Sequence, residues 1–374
     1  MRQSLLLPVA ILLAFWLAFS GCKKEIEVLV KETKVEVEKK YSWSEHSQPK
    51  GSERIVLSLG TGSSSLFMQQ PMFFSSLIYR GKAVTYTSYS AGATNNLNVR
   101  VPITERFFPA PLNDSVVVIY STLNPNETRL SKYIRIKQLD PTVTHVLNTF
   151  PQYLKFGAIN KNGYFLFAYE NSAPGRPLTF ILSQVQVPNA IGLPLQATSR
   201  RISIPRNPST SPFFRNITAI EDYFLVAVDG AGIYKIKQDG SVQLVNIANG
   251  RGPVDAFYKW KGRVYAIVEH NEIMVSDDDG ATWTSYSGLP DYFSYTSYHV
   301  VRDSLVGVSH PSRGGVNLFT LRWNGLRYSA RFLKNDGLSR AEVTDLQQLQ
   351  DTVYVATTSG LFVQPVSTFF ETKK

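Results

Sequence analysis

Seven times in this chain a two-residue polar turn is followed at once by a short run of β-branched and aromatic residues. Arg80-Gly81 precedes 83–89 (AVTYTSY), Asn113-Asp114 precedes 116–121 (VVVIYS), and Asn162-Gly163 precedes 164–169 (YFLFAY). Glu221-Asp222 leads into 223–228 (YFLVAV), and Lys261-Gly262 into 264–268 (VYAIV). Arg302-Asp303 leads into 305–309 (LVGVS), and Gln350-Asp351 into 353–357 (VYVAT). Almost no window from residue 51 onward has a helical period, so these runs are strands. Most are apolar on both faces, and a strand of that kind must be covered on both. A lone hairpin or a sheet with one wet face is therefore excluded. Each unit needs a neighbour on either side.

The successive doublets are 33, 49, 59, 40, 41 and 48 residues apart. A period of about 40–50 residues suits a four-stranded blade that buries its faces only against the next blade. The expected fold is all-β, a closed β-propeller over residues 51–374 with seven blades, six or eight being the near alternatives. The doublets close tight hairpins, since Gly, Asn and Asp tolerate positive φ. Second hairpins follow at 228–234 (VDGAGIY) and 357–362 (TTSGLF). Strand-like runs at 54–59 (RIVLSL) and 66–69 (LFMQ) precede the first doublet. The N-terminal run at 54–59 is expected to complete the sheet of the last blade, which removes the free edges between the two chain ends.

The N-terminus carries an address. Arg2 is the only charge in the first 21 residues, 5–21 is an apolar run, and Phe19-Ser20-Gly21 leads into Cys22 and then Lys23-Lys24. A positive start, an apolar core and small residues before a cut make residues 1–21 a secretory signal peptide. Cys22 directly after those small residues resembles the lipobox of bacterial lipoproteins, although Phe19 stands where Leu is usual. The resemblance implies acylation of Cys22 and attachment to a cell-envelope membrane, on the periplasmic or surface side of the outer membrane. Lys23-Lys24-Glu25 is similar to the charged surface-export signals of some Bacteroidota lipoproteins. Cys22 is also the only cysteine, so intramolecular disulfides, thiolate zinc sites and dithiol redox motifs are excluded. Residues 22–50 are dense in mixed charge and read as a solvated tether, with 23–45 expected to be dispensable for folding. The net charge of +10 suits anionic glycans or membrane surfaces. An exported chain is a poor candidate for nucleic acid.

Two stretches resemble known propeller families. Asn335-Asp336-Gly337-Leu338-Ser339, then Val343-Thr344-Asp345-Leu346, then the run from Tyr354 to Leu361 (YVATTSGL) is similar to a repeat of the two-component-regulator propellers. Ser276-x-Asp278-x-Gly280-x-Thr282-Trp283 resembles the Asp-box of sialidase-like, BNR-repeat propellers. That resemblance implies a structural turn in which Asp278 accepts backbone N–H groups, Gly280 takes a conformation closed to other residues, and Trp283 packs into the blade. Two rival interpretations of Asp277-Asp278-Asp279 fit worse. Aligned to a calcium loop, the stretch puts Val275 at the first ligand position and Tyr286 where a bidentate Glu is needed. Adjacent carboxylates on a tight outer turn do not face one substrate as a catalytic pair.

Other chemistry is thin. The nucleophile-elbow, zincin, P-loop and dinucleotide motifs are absent, and the five histidines (46, 145, 270, 299 and 310) lack ligand spacing. No metal or cofactor is called for. Sialidases need an arginine triad and an early Arg-Ile-Pro, whereas Ile204-Pro205-Arg206 has another order and lies mid-chain. A candidate binding loop follows the Asp-box, where Tyr292, Phe293, Tyr295, Tyr298 and His299 are crowded together. Aromatic rings with polar tips suit sugar or protein contacts, unless Tyr295 and Tyr298 turn inward on the next blade's inner strand. The sequence points to a lipid-anchored envelope module that binds protein or glycan. Its rivals are a sialidase-like carbohydrate hydrolase, which needs a convergent carboxylate pair at the channel mouth, and an assembly factor for a membrane complex.

Overall fold

The computed structural model describes residues 41–50, 54–71, 73–90, 110–111, 114, 117–119, 129–130, 157–169, 177–186, 196–204, 213–229, 231–245, 254–268, 272–287, 296–309, 316–323, 328–338 and 342–373. Those from Ser42 onward belong to one compact unit, Ser42–Lys374. Its first strand is β1 (Ser44–Glu45). Blade 1 follows as β2 (Ser58–Thr61), β3 (Ser65–Gln69), β4 (Phe73–Arg80) and β5 (Ala83–Ser90). Blade 2 contributes β6 (Ala110–Pro111), β7 (Val117–Ile119) and β8 (Arg129–Leu130). Blade 3 is β9 (Gly157–Ile159), β10 (Tyr164–Tyr169), β11 (Leu178–Gln186) and β12 (Gln196–Ile204). Blade 4 is β13 (Phe213–Ile220), β14 (Tyr223–Asp229), β15 (Gly232–Lys237) and β16 (Val242–Val245). Blade 5 is β17 (Val254–Trp260), β18 (Arg263–Val268), β19 (Glu272–Ser276) and β20 (Thr284–Ser287). Blade 6 is β21 (Thr296–Val301), β22 (Ser304–Ser309), β23 (Asn317–Trp323) and β24 (Tyr328–Phe332). Blade 7 is β25 (Val343–Leu349), β26 (Thr352–Thr357) and β27 (Gly360–Pro365), with β1 as its fourth strand and a single turn of helix, α1 (Val366–Phe369), after it.

Every sheet is antiparallel, and all but blade 7, whose outer strand β1 comes from the other end of the chain, are meanders. The first strands touch in a cycle, β2 to β6, β9, β13, β17, β21, β25 and back to β2. The chain is a β-propeller, and among the described residues seven sheets close the ring.

The core lies between blades rather than within any one of them. Alternate residues of each second strand go to different interfaces. In β14, Phe224, Val226 and Val228 pack with blade 3, while Tyr223, Leu225 and Ala227 pack with blade 5. In β18, Val264, Ala266 and Val268 face blade 4, and Tyr265 and Ile267 face blade 6. In β26, Val353 and Val355 face blade 6, and Tyr354 and Ala356 face blade 1. This two-sided burial is why those strands are written without a polar face. Fully burying one such side chain is worth about 1.5–3 kcal/mol.

Three expectations are corrected. The strand that completes the last blade is β1, pairing Ser44 with Val363 and Glu45 with Phe362, and not 54–59. Ser58–Thr61 is instead the first strand of blade 1, beside β25. The tether accordingly stops short of residue 50, because Trp43 is buried in the cluster between blades 6 and 7. Its ring meets Phe369 edge-on at 5.9 Å, and its Nε1 donates to Lys334 O at 3.2 Å. The mixed charge upstream hides this anchor: one tryptophan docks what composition alone assigns to solvent. Within 23–45, Trp43, Ser44 and Glu45 thus belong to the disc.

The third correction concerns the first doublet. Arg80-Gly81 lies between β4 and β5, the third and fourth strands, whereas the other six join first strands to second ones. That offset explains the short first spacing. It also explains why β5 alternates with polar residues and leaves Val84 46% exposed, since outer strands have no neighbour beyond them. Positive φ also falls on unexpected residues: Glu221 (50°), Lys261 (47°), Arg302 (50°) and Gln350 (52°), the first of each pair.

Candidate functional site

The turn from β19 to β20 is built from the residues singled out in the sequence. Ser276 Oγ donates to Asp278 Oδ1 at 2.7 Å and accepts the Gly280 N–H at 2.7 Å. Asp278 accepts the Thr282 N–H on Oδ1 at 2.8 Å and the Thr282 hydroxyl on Oδ2 at 2.7 Å. Trp283 Nε1 returns to Gly280 O at 3.0 Å. Asp279 and Gly280 both have positive φ, 55° and 85°. Gly280 is buried, with Leu225 of blade 4 and Trp283 at 3.5 Å from where a Cβ would stand. The Thr282 hydroxyl and N–H, with the Ser276 hydroxyl, lower the Asp278 pKa to about 2. Its oxygens are occupied by its own turn, which Asp278 braces.

Its two acidic neighbours reach outward. Asp279 Oδ1 accepts Lys259 Nζ at 2.8 Å, and Lys235 Nζ of blade 4 donates to Asp279 O at 2.9 Å. Lys259 also lies 3.1 Å from Glu221 Oε2 in the blade 4 turn. The Lys259 hydrogen bond holds the Asp279 carboxyl below its usual range, and burial pushes the Tyr223 phenol beside it up. Asp277 pairs with Arg263 at 2.6 Å. The three carboxylates thus go to three places. They fasten blade 5 to itself and to blade 4.

A similar device joins blades 1 and 2. Burial opposes ionisation of Asp114, yet hydrogen bonds from Ser63, Ser64 and Ser65 hold its carboxyl well below the usual range. The Ser64 N–H donates to Asp114 Oδ1 at 2.8 Å. Asp114 belongs to one of the seven doublets, but its role as an acceptor for the neighbouring blade could not be seen in the doublet itself.

In a meander the first-to-second and third-to-fourth turns lie on one face of the disc. The other face takes the blade-to-blade connections, and the first strands begin there. At that end the ladder is broken by bulges at corresponding places: between Phe214 and Asn216, Val254 and Ala256, and Val343 and Asp345. A bulge re-aims a side chain. Asp345 is nearly buried, and it accepts the Leu59 N–H on Oδ2 and the Leu346 N–H on Oδ1, both at 2.7 Å. His299 of blade 6 brings Nδ1 to 3.5 Å from Asp345 Oδ1, and its Nε2 is 3.0 Å from Ser297 Oγ. Thr344 Oγ1 donates to Val56 O at 2.5 Å. Asp345 therefore ties the inner strands of blades 6, 7 and 1 together at the channel mouth, where Ser297 and Asp255 are exposed.

The candidate binding loop divides. Tyr298 sits on β21 and packs edge-on to Phe319 at 6.5 Å, in the cluster between blades 5 and 6. Burial raises its phenol pKa. That is the inward placement, with the Tyr298 ring packed in the interface between blades. His299 is held at Asp345. Tyr292, Phe293 and Tyr295 lie outside the described residues, as does Cys22. Asp345 stands in the family-like stretch 343–346, where nothing local marks its role; the partner that reveals it is Leu59, far away in sequence.

No sequence-family model matches the chain, and no curated protein does. Among solved structures it is similar to virginiamycin B lyase from Staphylococcus aureus, at 12% identity and a TM-score of 0.52. That match covers 87% of this chain and 98% of the lyase. It is also similar to the extracellular domain of the BT4673 one component system from B. thetaiotaomicron, at 13% identity and a TM-score of 0.50. There it covers 90% of this chain but spans only 44% of the other. At such identities the likeness shows the fold, a β-propeller, and no activity.

Proposed function

We propose that this chain is a lipid-anchored protein of the bacterial cell envelope whose propeller is a binding module for protein or glycan. The reading is carried by the difference between the two faces of the disc. One face is closed by two-residue turns, and two of their carboxylates, Glu221 and Asp114, are engaged with a neighbouring blade. The other receives the long connections, 205–212, 246–253 and 288–295 among them, and exposes Asp255 and Ser297 at the ends of inner strands. Propeller ligands are met by such loops on a rigid disc. The hydrolase alternative needs a convergent carboxylate pair at the mouth, and Asp345 is spent on two backbone N–H groups, so it does not supply a free partner for Asp255. The address rests on the sequence around Cys22.

Two measurements test this. A photo-crosslinking residue in place of Ser297 should capture an envelope component in intact cells, and one in place of Lys261 on the turn face should not. Capture from Lys261 alone, or from neither, overturns the binding face. Mass spectrometry of the mature N-terminus should find an acylated Cys22, and a retained Arg2 or another N-terminus refutes the anchor.

A further inference from the structure

A second site lies away from the channel, at the outer edge of blade 6. There the C-terminal segment runs beside the end of β24. Leu333 pairs with Thr372, the Lys373 N–H donates to Phe332 O at 3.3 Å, and the Lys334 N–H donates to Glu371 O at 2.8 Å. Between this segment and β23 is a shallow, open cleft of about 510 Å³, lined by Asn317, Arg331, Phe332, Thr372 and Lys373. The volume is within the range of small-molecule sites.

Its charge is uncompensated. Glu371, the carboxylate next along the chain, is engaged with Lys334 Nζ at 2.6 Å. Among the described residues neither Arg331 nor Lys373 has a carboxylate within ion-pair distance. Arg331 is nonetheless held in place, its Nη2 donating to Thr372 Oγ1 at 3.3 Å. A fixed guanidinium recognises a carboxylate by its fork of donors, and Lys373, lining the same cleft, adds a point charge. Asn317 and Thr372 add an amide and a hydroxyl, which suit neighbouring hydroxyl groups. Phe332 contributes to the wall, with its ring turned to Phe319 at 6.2 Å. An open cleft lets a chain continue past it in both directions, which a closed metabolite pocket does not.

We propose that this cleft binds an oligosaccharide through the carboxylate of a uronic acid unit. The site does not depend on the channel-mouth reading. The test is calorimetry on the full-length protein in detergent, with trigalacturonate and a hyaluronate tetrasaccharide as probes. Methyl-esterified trigalacturonate is the neutral control, and phosphatidylglycerol vesicles are the other source of negative charge. Saturable binding of an acidic probe is expected, lost with the ester and weakened at least about tenfold in Arg331→Gln/Lys373→Gln. The unliganded melting temperature should be unchanged, and Lys373→Arg should bind as the parent does. Should the double variant misfold, the exposed Lys373→Gln alone decides by the same loss. Equal binding of acid and ester, undiminished binding by the variants, binding of vesicles only, or no binding at all overturns the proposal. Crosslinking from Ser297 in intact cells would survive any of those failures, so the two ideas fail separately.

Discussion

Asp278 and Asp345 are two aspartates with the same task and opposite geometry. Asp278 takes its hydrogen bonds from Ser276 and Thr282, within four residues, on an exposed turn of blade 5. Asp345 is nearly buried and holds Leu59, 286 residues away, together with its own neighbour Leu346. The first is a local motif whose spacing is its geometry. The second exists only once the ring has closed. The comparison separates what holds one blade in shape from what holds the disc shut, and variants of each kind should fail differently.

The largest effect belongs to ring closure. Trp43→Ala empties a buried site between blades 6 and 7 and removes the Nε1 bond to Lys334 O. A loss of about 3–5 kcal/mol is expected from a change of this kind, read as a lower urea midpoint. Removing residues 23–40 should leave the midpoint where it was. If Trp43→Ala is silent, β1 does not close the ring in solution and the comparison collapses.

Asp345→Ala comes next. It strands the Leu59 and Leu346 N–H groups at a junction between blades, at about 2–3 kcal/mol in unfolding free energy. Asp345→Asn keeps an acceptor oxygen and should lose less. A catalytic acid would show the reverse emphasis, with stability kept and an activity gone.

Asp278→Ala should cost about 1 kcal/mol, as for the loss of a capping side chain on an exposed turn. Its pH dependence follows from the depressed pKa. An ordinary aspartate titrates near 3.9 unfolded, while Asp278 in the fold is at about 2. Its contribution is therefore present above about pH 4 and fades as the pH falls through about 2. The parent and Asp278→Ala should converge in stability at the acid end of that window. A gap that persists there would mean the side chain acts by packing.

The same division decides how much could be read without a structure. The Asp-box-like turn and six of the first-to-second strand doublets are local, so turn residues and apolar runs announced them. The propeller followed from strands apolar on both sides, since alternate residues of β14 serve two interfaces. What stayed hidden was long-range. Trp43 looks like one aromatic in a charged spacer, and Asp345 looks like one acid in a strand. Ser63, Ser64 and Ser65 look like a flexible turn until Asp114 is placed against them. Tyr298 was ambiguous because an alternating aromatic strand and an aromatic binding loop share a composition, and only its contact with Phe319 decides.

The smallest effect sharpens the comparison most, because it lies between the two cases. Asp279 follows Asp278 directly, yet its partners reach across blades: Lys259 in its own blade, Lys235 in blade 4, and Glu221 through Lys259. Lys259→Met removes the shared cation and keeps most of the stem. The carboxylates of Glu221 and Asp279 are each about half exposed, so water replaces much of what is lost. Exposed pairs of this kind are worth about 0–1 kcal/mol, and salt screens them over about 8 Å at physiological strength. The expected loss is therefore below about 1 kcal/mol at low salt and shrinks towards zero in molar salt, where Asp278→Ala should keep most of its deficit. If Lys259→Met instead costs as much as Asp345→Ala and ignores salt, the bridge between blades 4 and 5 is a closure element in its own right. The line between local turn and ring clamp would then run through the middle of one three-aspartate stretch.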